Sequence, residues 1–299
     1  WSHAHSAFAV SLFLWYWQRT RDHRSLRQWI VLGMAAGLMM NVYYPNAILM
    51  IVPAIEALVE YYRTAPARWA RLLASHLFFL GMASLALLPT LVTRWIIFGG
   101  PFESGYPPMA EWNWTSPVWR SVLFSANHGL LSWTPVLIPA LLGLYSAYKR
   151  DAVLGAGLLL AVLIFGYFIS SYPDWDGLSS FGNRFFISLT PVFVIGLAAG
   201  LSSFARWWNR PGSDVALAGA ALALLAIWNA GFIFQWGTQM IPSRGAISWQ
   251  EMARNQFTVV PARLTSDLQH YIFRRDSIMQ RIEVKDLERR QSEMPDREP

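Results

Sequence analysis

The sequence predicts an all-α protein: a polytopic bundle of about eight transmembrane helices, followed by an extracytoplasmic amphipathic helical tail. Of its 299 residues, 54% are hydrophobic and only 14% are charged, whereas soluble domains carry about 25% charged residues. Many apolar runs approach the roughly 20 residues that a helix needs to cross a bilayer. Tryptophan occurs 16 times, often at the ends of these runs, as in the aromatic belts of membrane proteins.

Composition also excludes several classes of protein. The chain has no cysteine, so it forms neither disulfides nor thiolate metal sites. The net charge of +6 comes from Lys and Arg in short loops, where such residues set membrane orientation. We therefore expect membrane lipid, and no nucleic acid, as a partner.

Eight apolar segments are predicted to span the membrane. They are 4–17, 29–43, 46–62, 72–98, 130–148, 152–170, 185–205 and 215–236. The run 29–62 is too long for one span, and we divide it at Pro45, which lacks an N–H donor and disfavours helix at Tyr44. Pro89 predicts a kink in the fourth span, and 118–129 predicts an interfacial helix.

The distribution of Lys and Arg orients these spans. Basic loops (18–28, 63–71, 149–150, 206–210) alternate with loops poor in Lys and Arg (43–46, 98–129, 171–184). The positive-inside rule places the basic set in the cytoplasm and both termini outside. The chain thus divides into a transmembrane domain, 1–236, and an extracytoplasmic tail, 237–299. Apolar residues at helical spacing predict an amphipathic helix over 262–290, on the membrane surface or on the outer loops, before a disordered end.

Polar residues concentrate on the predicted outer side. They are His3, His5, Tyr43, Tyr44, Asn46, Glu103, Glu111, Asn127, His128, Asp174, Asp176, Asn183 and Arg184. The cytoplasmic loops carry little beyond Arg and Lys. This one-sided distribution predicts an active site at the outer interface, although ordinary exposed loops have a similar composition.

The loop 171–184 and the residues after it carry the densest set of these groups. The planar fork of Arg184 suits a phosphate or carboxylate at headgroup depth, and Gly182 and Asn183 precede it at a helix start, a natural anion site. The alternative is an arginine that reaches lipid phosphate without specificity. Asp174 and Asp176 flank Trp175, and either carboxylate is suited to act as a general base or to hold a divalent cation. The alternative is one Asp paired with Arg184 and the other in water.

The histidines indicate a function less clearly than the residues of the loop 171–184 do. His128 is suited to donate to phosphate or to shuttle a proton, or it caps a helix end before Gly129. His3 and His5 do not share a helix face, so no metal pair is predicted there. The phosphate-loop, HExxH and GxSxG motifs are absent from the sequence, and the few charges within the spans weaken a transporter interpretation.

Three segments carry a resemblance to a known family: SHAHSAF at 2–8, LFSANHGLLSWTP at 123–135 and DWDGLSSFGNRF at 174–185. Over about residues 1–236 the chain resembles the C-terminal two-thirds of bacterial membrane glycosyltransferases of the GT-C class, such as the protein O-mannosyltransferase-like and aminoarabinose-transferase-like enzymes. The resemblance implies a bacterial inner-membrane enzyme. It implies a polyprenyl-phosphate-linked sugar donor, an extracytoplasmic active site and a lipid, protein or polysaccharide acceptor.

The resemblance also suggests roles for residues. Arg184 would contact the donor phosphate, and His128 with Asp174 and Asp176 would line the donor or acceptor pocket. The remaining candidate substrate-binding residues are Asn183, Asn127, Trp175, Tyr43, Asn46 and His3. In the family the catalytic carboxylate lies in the first outer loop, which nothing here matches, so we expect an N-terminally truncated chain with its base upstream of Trp1. The alternative function is a lipid-linked-sugar flippase or another transporter. It would use polar groups within the spans: Asn41, Thr90, Ser188, Thr190 and Asn229.

Overall fold

A computed structural model describes residues 2–210, 212–242 and 247–273. These residues form helices, turns and loops, and no strand occurs among them. They divide into two compact units, 2–229 and 230–242 with 247–273. The all-α class is therefore confirmed for the described part of the chain.

The first unit contains nine complete helices and most of a tenth within the described residues. They are α1 (Ser2–Thr20), α2 (Leu26–Val42), α3 (Ile51–Arg63), α4 (Trp69–Phe98), α5 (Trp119–Phe124), α6 (Leu130–Trp133), α7 (Leu137–Arg150), α8 (Ala152–Ser171), α9 (Thr190–Trp208) and α10 (Ser213–Gly237). Shorter 3-10 turns cover Tyr44–Met50, Pro66–Arg68, Met109–Glu111 and Arg184–Leu189.

Four helical stretches in the described residues are long and apolar enough to cross a membrane. They are Pro66–Phe98, Ala152–Ser171, Arg184–Trp208 and Ser213–Gly237. The helix α2 is apolar but shorter, with 17 residues. A helix also occupies each of the other predicted segments. These four stretches indicate a membrane protein, and the count of eight spans stays a prediction.

Proline explains how several of these helices begin and end. The chain leaves α2 at Val42, and Pro45 lies in the 3-10 turn that follows, where the sequence predicts a break. One continuous helix over 130–148 is a wrong prediction, because α6 ends at Trp133 and α7 starts at Leu137. Pro135, between them, lacks an N–H donor and disfavours helical backbone at Thr134. The interfacial helix over 118–129 is also shorter than predicted, since α5 ends at Phe124.

Glycine allows the closest helix contact of the first unit, between α7 and α9. A Cβ atom built on Gly143 would overlap the carbonyl oxygen of Gly196 and lie 2.9 Å from the amide nitrogen of Gly200. Gly196 and Gly200 are four residues apart and share a helix face, as in the small-xxx-small contacts of membrane helices. The backbones of α7 and α9 are therefore in van der Waals contact, and dispersion and dipole interactions between the two helices act over a short distance.

A second contact of the same kind joins α2 to α4. A Cβ atom on Gly33 would lie 2.6 Å from the carbonyl oxygen of Phe79, and one on Gly37 would lie 2.6 Å from that of Ala83. Only a residue without a side chain fits at either position. The close packing of α2 on α4 is thus set by two glycines about one helical turn apart.

The second unit is a short helical hairpin. It contains the last residues of α10, from Ala230, followed by α11 (Trp249–Arg254), a π-helical turn (Asn255–Val259) and α12 (Val260–Phe273). Ser248 caps α11 by accepting the N–H of Glu251 at 3.2 Å. The predicted amphipathic helix is seen as far as Phe273, and its continuation and the predicted disordered end lie outside the described residues.

Candidate functional site

The polar loops predicted to share one side of the membrane lie at one end of the first unit. The backbone N–H groups of Asn113 and Val118 donate to the carbonyls of Ser171 and Ser170, both at 2.9 Å. These bonds tie the long loop after α4 to the end of α8. We call this region, formed by 43–46, 99–118, 125–129 and 172–184, the polar end.

Two of these loops are pinned to each other. The side-chain amide of Asn127 donates to Oδ2 of Asp176 at 2.7 Å. The Nδ1–H of His128 donates to the carbonyl of Gly182 at 3.2 Å. The imidazole also stacks on Trp133, with ring centroids 4.9 Å apart and planes 12° from parallel. The loops 125–129 and 172–184 therefore form one joined structure, which we call the loop pair.

His128 is an internal residue of this loop pair. It is only 2% exposed, and its φ of 61° places it in the left-handed region, which few non-glycine residues adopt. Burial lowers the pKa of His128 more than the Gly182 carbonyl and the charge of Asp176 raise it. The neutral Nδ1–H tautomer is thus favoured, and its role here is to position the loops.

The two aspartates have different surroundings. Asp176 accepts the Asn127 amide and, through Oδ1, the N–H of Leu178 at 3.0 Å, so it serves the loop pair. Asp174 is half-buried, and among the described residues its carboxylate accepts only a long bond of 3.4 Å from the hydroxyl of Tyr172. Asp174 therefore has more unused acceptor capacity toward a ligand.

Arg184 begins the 3-10 turn Arg184–Leu189 and is half-buried. Its stem passes over Gly177, where a Cβ atom would lie 3.3 Å from Cγ of Arg184. Its charge acts on His3 and Tyr43, which places all three residues in one neighbourhood. Within the described ranges, Arg184 has no carboxylate within 4.0 Å. The alternative of an Asp–Arg184 ion pair is therefore not observed there.

Three tyrosines that precede prolines also meet at the polar end. Tyr106 and Tyr172 have ring centroids 6.3 Å apart, and Tyr44 interacts electrostatically with Tyr106 and Tyr172. The guanidinium carbon of Arg94 lies 5.0 Å from the centre of the Tyr44 ring. Together with Tyr43 we call them the tyrosine cluster. The sequence analysis missed Tyr106, Tyr172 and Arg94, although the Tyr-Pro dipeptide that recurs at 44–45, 106–107 and 172–173 was an available signal.

The tyrosine hydroxyls are donors at neutral pH. Burial, followed by the charge and hydrogen bond of Asp174, raises the pKa of Tyr172 to about 12. The indole of Trp112 packs against Tyr172 and Phe168, at centroid distances of 4.9 Å in both cases. The hydroxyls of the tyrosine cluster therefore lie beside packed aromatic rings and two cationic side chains, Arg94 and Arg184.

Asn46 lies below this surface and is fully buried. Its amide donates to Ser6 Oγ at 2.8 Å and to the Met39 carbonyl at 3.0 Å, and the Ser6 and Ser188 hydroxyls are 2.7 Å apart. Asn46 thus joins α1, the end of α2 and the turn before α9. As placed, it is a structural residue and does not reach the ligand-accessible surface of the polar end.

The other candidates are distributed around the loop pair. Asn183 is 7% exposed and donates to the Trp175 carbonyl at 2.9 Å. Trp175 packs partly against the core. His5, Glu103 and Glu111 are exposed.

The polar side chains within the predicted spans form hydrogen bonds to other groups of the protein. Thr90 donates to Asn41 Oδ1, and Asn41 donates to the Ala86 carbonyl, both at 2.6 Å. Thr190 donates to the Ile187 carbonyl and Asn229 to the Trp133 carbonyl, each at 2.7 Å. Ser188 contacts Ser6 as described above. Asn41, Thr90, Ser188 and Asn229 thus link different segments, whereas the bond of Thr190 is local to the start of α9.

A lateral apolar groove adjoins the loop pair. Its volume is about 370 Å³, and its walls include Leu137, Phe186, Phe193 and Leu197 with Asn183 of the loop. Long apolar ligands fit such surfaces. Asn183, which lines the groove, directly precedes Arg184 in sequence, so the apolar wall adjoins the segment that carries Arg184.

No group of three or more His, Cys, Asp or Glu residues suited to a metal occurs within the described ranges. Comparison with protein-family models, curated proteins and solved structures finds no match for this chain. The function must therefore be argued from the polar end itself.

Proposed function

We propose that the chain is part of an integral membrane glycosyltransferase. In this proposal it moves a sugar from a polyprenyl-phosphate-linked donor to an acceptor at the outer face of a bacterial inner membrane. The polar end is the active-site region, and the count of about eight spans with extracytoplasmic loops belongs to the same proposal.

The observation that carries the proposal is the pair of arginines within the tyrosine cluster. Arg94 and Arg184 have no carboxylate within 4.0 Å among the described residues, and both interact with tyrosine rings or hydroxyls. A cation left without an internal counter-ion at a membrane surface favours an anionic ligand. Guanidinium groups bind phosphate oxygens in a bidentate manner, and neutral tyrosine hydroxyls add single donors.

The chemical role of these residues follows from the reaction class. When an acceptor hydroxyl displaces the lipid phosphate at the anomeric carbon, its proton passes to a carboxylate base, the bond to the phosphate oxygen breaks, and negative charge develops on that departing oxygen. Arg184 stabilises that negative charge. Folding has already removed part of the water around the arginine, so little reorganisation accompanies the reaction. Asp174, with its unused acceptor capacity, contacts an acceptor or donor hydroxyl, while Asp176 and His128 hold the loop in place.

The groove beside Asn183 supports a lipid-linked donor over a soluble nucleotide sugar. A polyprenyl chain lying against Phe186 and Phe193 would bring its phosphate to the loop that precedes Arg184. The internal bonding of Asn41, Thr90, Thr190 and Asn229 counts against a transporter, which would need polar side chains available to a cargo within the spans.

The test is sugar transfer by the full-length protein in proteoliposomes, from labelled polyprenyl-phosphate donors. Arg184→Gln is expected to lower transfer by about 10²-fold, because a charge-assisted contact to the leaving group is worth about 2.7–4 kcal/mol. The matched control is Arg120→Gln, which removes an exposed arginine from α5 at the same end and is expected to leave transfer unchanged. Equal transfer by wild type and Arg184→Gln would refute the site.

A further inference from the structure

The end of the first unit that carries the basic loops contains a partly buried ion-pair network. Glu56 Oε2 accepts the indole N–H of Trp17 at 2.6 Å and the Arg24 guanidinium at 2.9 Å. Arg21 pairs with Asp151 across 130 positions of sequence. The Arg24 side chain is only 3% exposed and lies over the Trp29 ring at 4.8 Å. Arg21 and Arg24 are thus fixed and largely neutralised.

A polar cavity of about 620 Å³ adjoins this network. It is enclosed by the loop after α1, the start of α2, the end of α3 and the start of α4. Its charged lining residues are Arg21, Asp22, Arg24, Glu60, Arg68 and Arg71, and His23, Thr64 and Ser75 add polar side chains.

Two of the lining arginines differ from the other two. Arg68 and Arg71 are exposed and have no carboxylate within 4.0 Å in the described ranges. Arg68 ends the 3-10 turn Pro66–Arg68, and Arg71 lies in the first turn of α4. The cavity therefore has a wall fixed by internal ion pairs and an opposite wall with two cations for an external anion.

The surroundings add positive charge and an apolar path. Arg27 in the first turn of α2 and Arg63 at the end of α3 are exposed and lie outside the cavity lining. Phe78 and Leu85 lie seven and fourteen residues after Arg71, on the same side of α4, and are 38% and 54% exposed. They belong to a stretch long and apolar enough to cross a membrane. A ligand with its anionic group at Arg68 and Arg71 would thus have an apolar surface for chains beside it.

We propose that this cavity binds the phosphate group of an anionic phospholipid, with Arg68 and Arg71 as its ligands and the acyl chains along α4. Basic pockets between membrane helices on the cytoplasmic side suit such headgroups. The mixed charges of Asp22 and Glu60 leave room for the hydroxyls of a glycerol headgroup, which donate to carboxylates. This site is independent of the polar end and of sugar transfer.

Native mass spectrometry of the purified full-length protein tests the site. Dioleoylphosphatidylglycerol is expected to bind at least about tenfold more tightly than dioleoylphosphatidylcholine. Arg68→Gln with Arg71→Gln should lower phosphatidylglycerol affinity by about tenfold or more, since each removes hydrogen bonds to a charged group. The control Arg27→Gln with Arg63→Gln removes equal charge from outside the cavity and should change that affinity by less than about twofold.

Three outcomes would overturn the proposal. Equal loss of affinity in both double variants would show that surface charge alone attracts the lipid. Equal binding of phosphatidylcholine would exclude recognition of an anionic headgroup. Displacement of the lipid by an equal concentration of inorganic phosphate would identify free phosphate as the ligand. Arg68→Lys with Arg71→Lys keeps the charge and should retain most of the affinity, which separates ligand loss from misfolding.

Discussion

Replacing Gly143 with alanine is expected to destabilise the first unit by forcing α7 and α9 apart. The added Cβ atom would overlap the Gly196 carbonyl oxygen and lie 2.7 Å from its carbonyl carbon and 2.9 Å from the Gly200 nitrogen. These are backbone atoms, so no side-chain rotation relieves the overlap. Overpacking of this kind costs about 1–3 kcal/mol.

Gly81 in α4 provides the matched control. A Cβ atom there meets no atom within 4 Å, so Gly81→Ala adds the same methyl group without a clash. Alanine is favoured over glycine in a helix interior by about 1 kcal/mol. The same propensity gain applies to Gly143→Ala, so the two substitutions are expected to differ by the overpacking cost alone, about 1–3 kcal/mol.

Thermal unfolding of the purified protein in one detergent compares the variants directly. A difference of 1 kcal/mol shifts the midpoint by about 2–4 °C for a chain of this order of size, so Gly143→Ala should unfold at least about 2 °C below Gly81→Ala. A Gly143→Ala midpoint equal to or above that of Gly81→Ala would refute the close approach of α7 and α9.

Three further results are expected. Folding lowers the pKa of His128, so the folded state favours the neutral imidazole. Its contribution to stability is therefore complete above about pH 6.5 and is lost as the pH falls below that value. The variant His128→Gln should weaken this acid dependence of thermal unfolding. Asn127→Ala should cost about 1–3 kcal/mol, since it leaves Asp176 with one hydrogen-bond donor fewer, and an unchanged midpoint would contradict the loop pair. Ser6→Ala should destabilise by about 1–3 kcal/mol, whereas Ser11→Ala, at an exposed site on α1, should be nearly neutral.

The sequence carries the fold class because hydropathy and helix length are local properties. Pro45 correctly predicts the end of α2. The same argument applies to Pro135, where a run of apolar residues on both sides led to the prediction of one helix over 130–148. Proline chemistry was therefore a better guide than apolar length at Pro45 and Pro135, whereas α4 continues through Pro89.

The candidate site was predictable only in part. Arg184 was identifiable, since a guanidinium beside a long apolar run needs a partner at the membrane surface. The burial of His128 and Asn46 depends on contacts with Gly182 and Ser6, which are 54 and 40 positions away in sequence. No local pattern encodes such pairings. Arg94 was missed because it lies inside an apolar helix, next to a tyrosine from another segment.

The bonding of Asn46 has a consequence for how the chain is made. Its amide reaches Ser6, and Ser6 in turn contacts Ser188, 182 positions further along. A ribosome delivers α1 and α2 long before Ser188 emerges, so these helices first form with this amide and hydroxyl lacking their final arrangement. The segment Arg184–Leu189 is synthesised late and supplies Ser188, which completes this set of hydrogen bonds. The final packing of the N-terminal helices therefore depends on a segment much further along the chain.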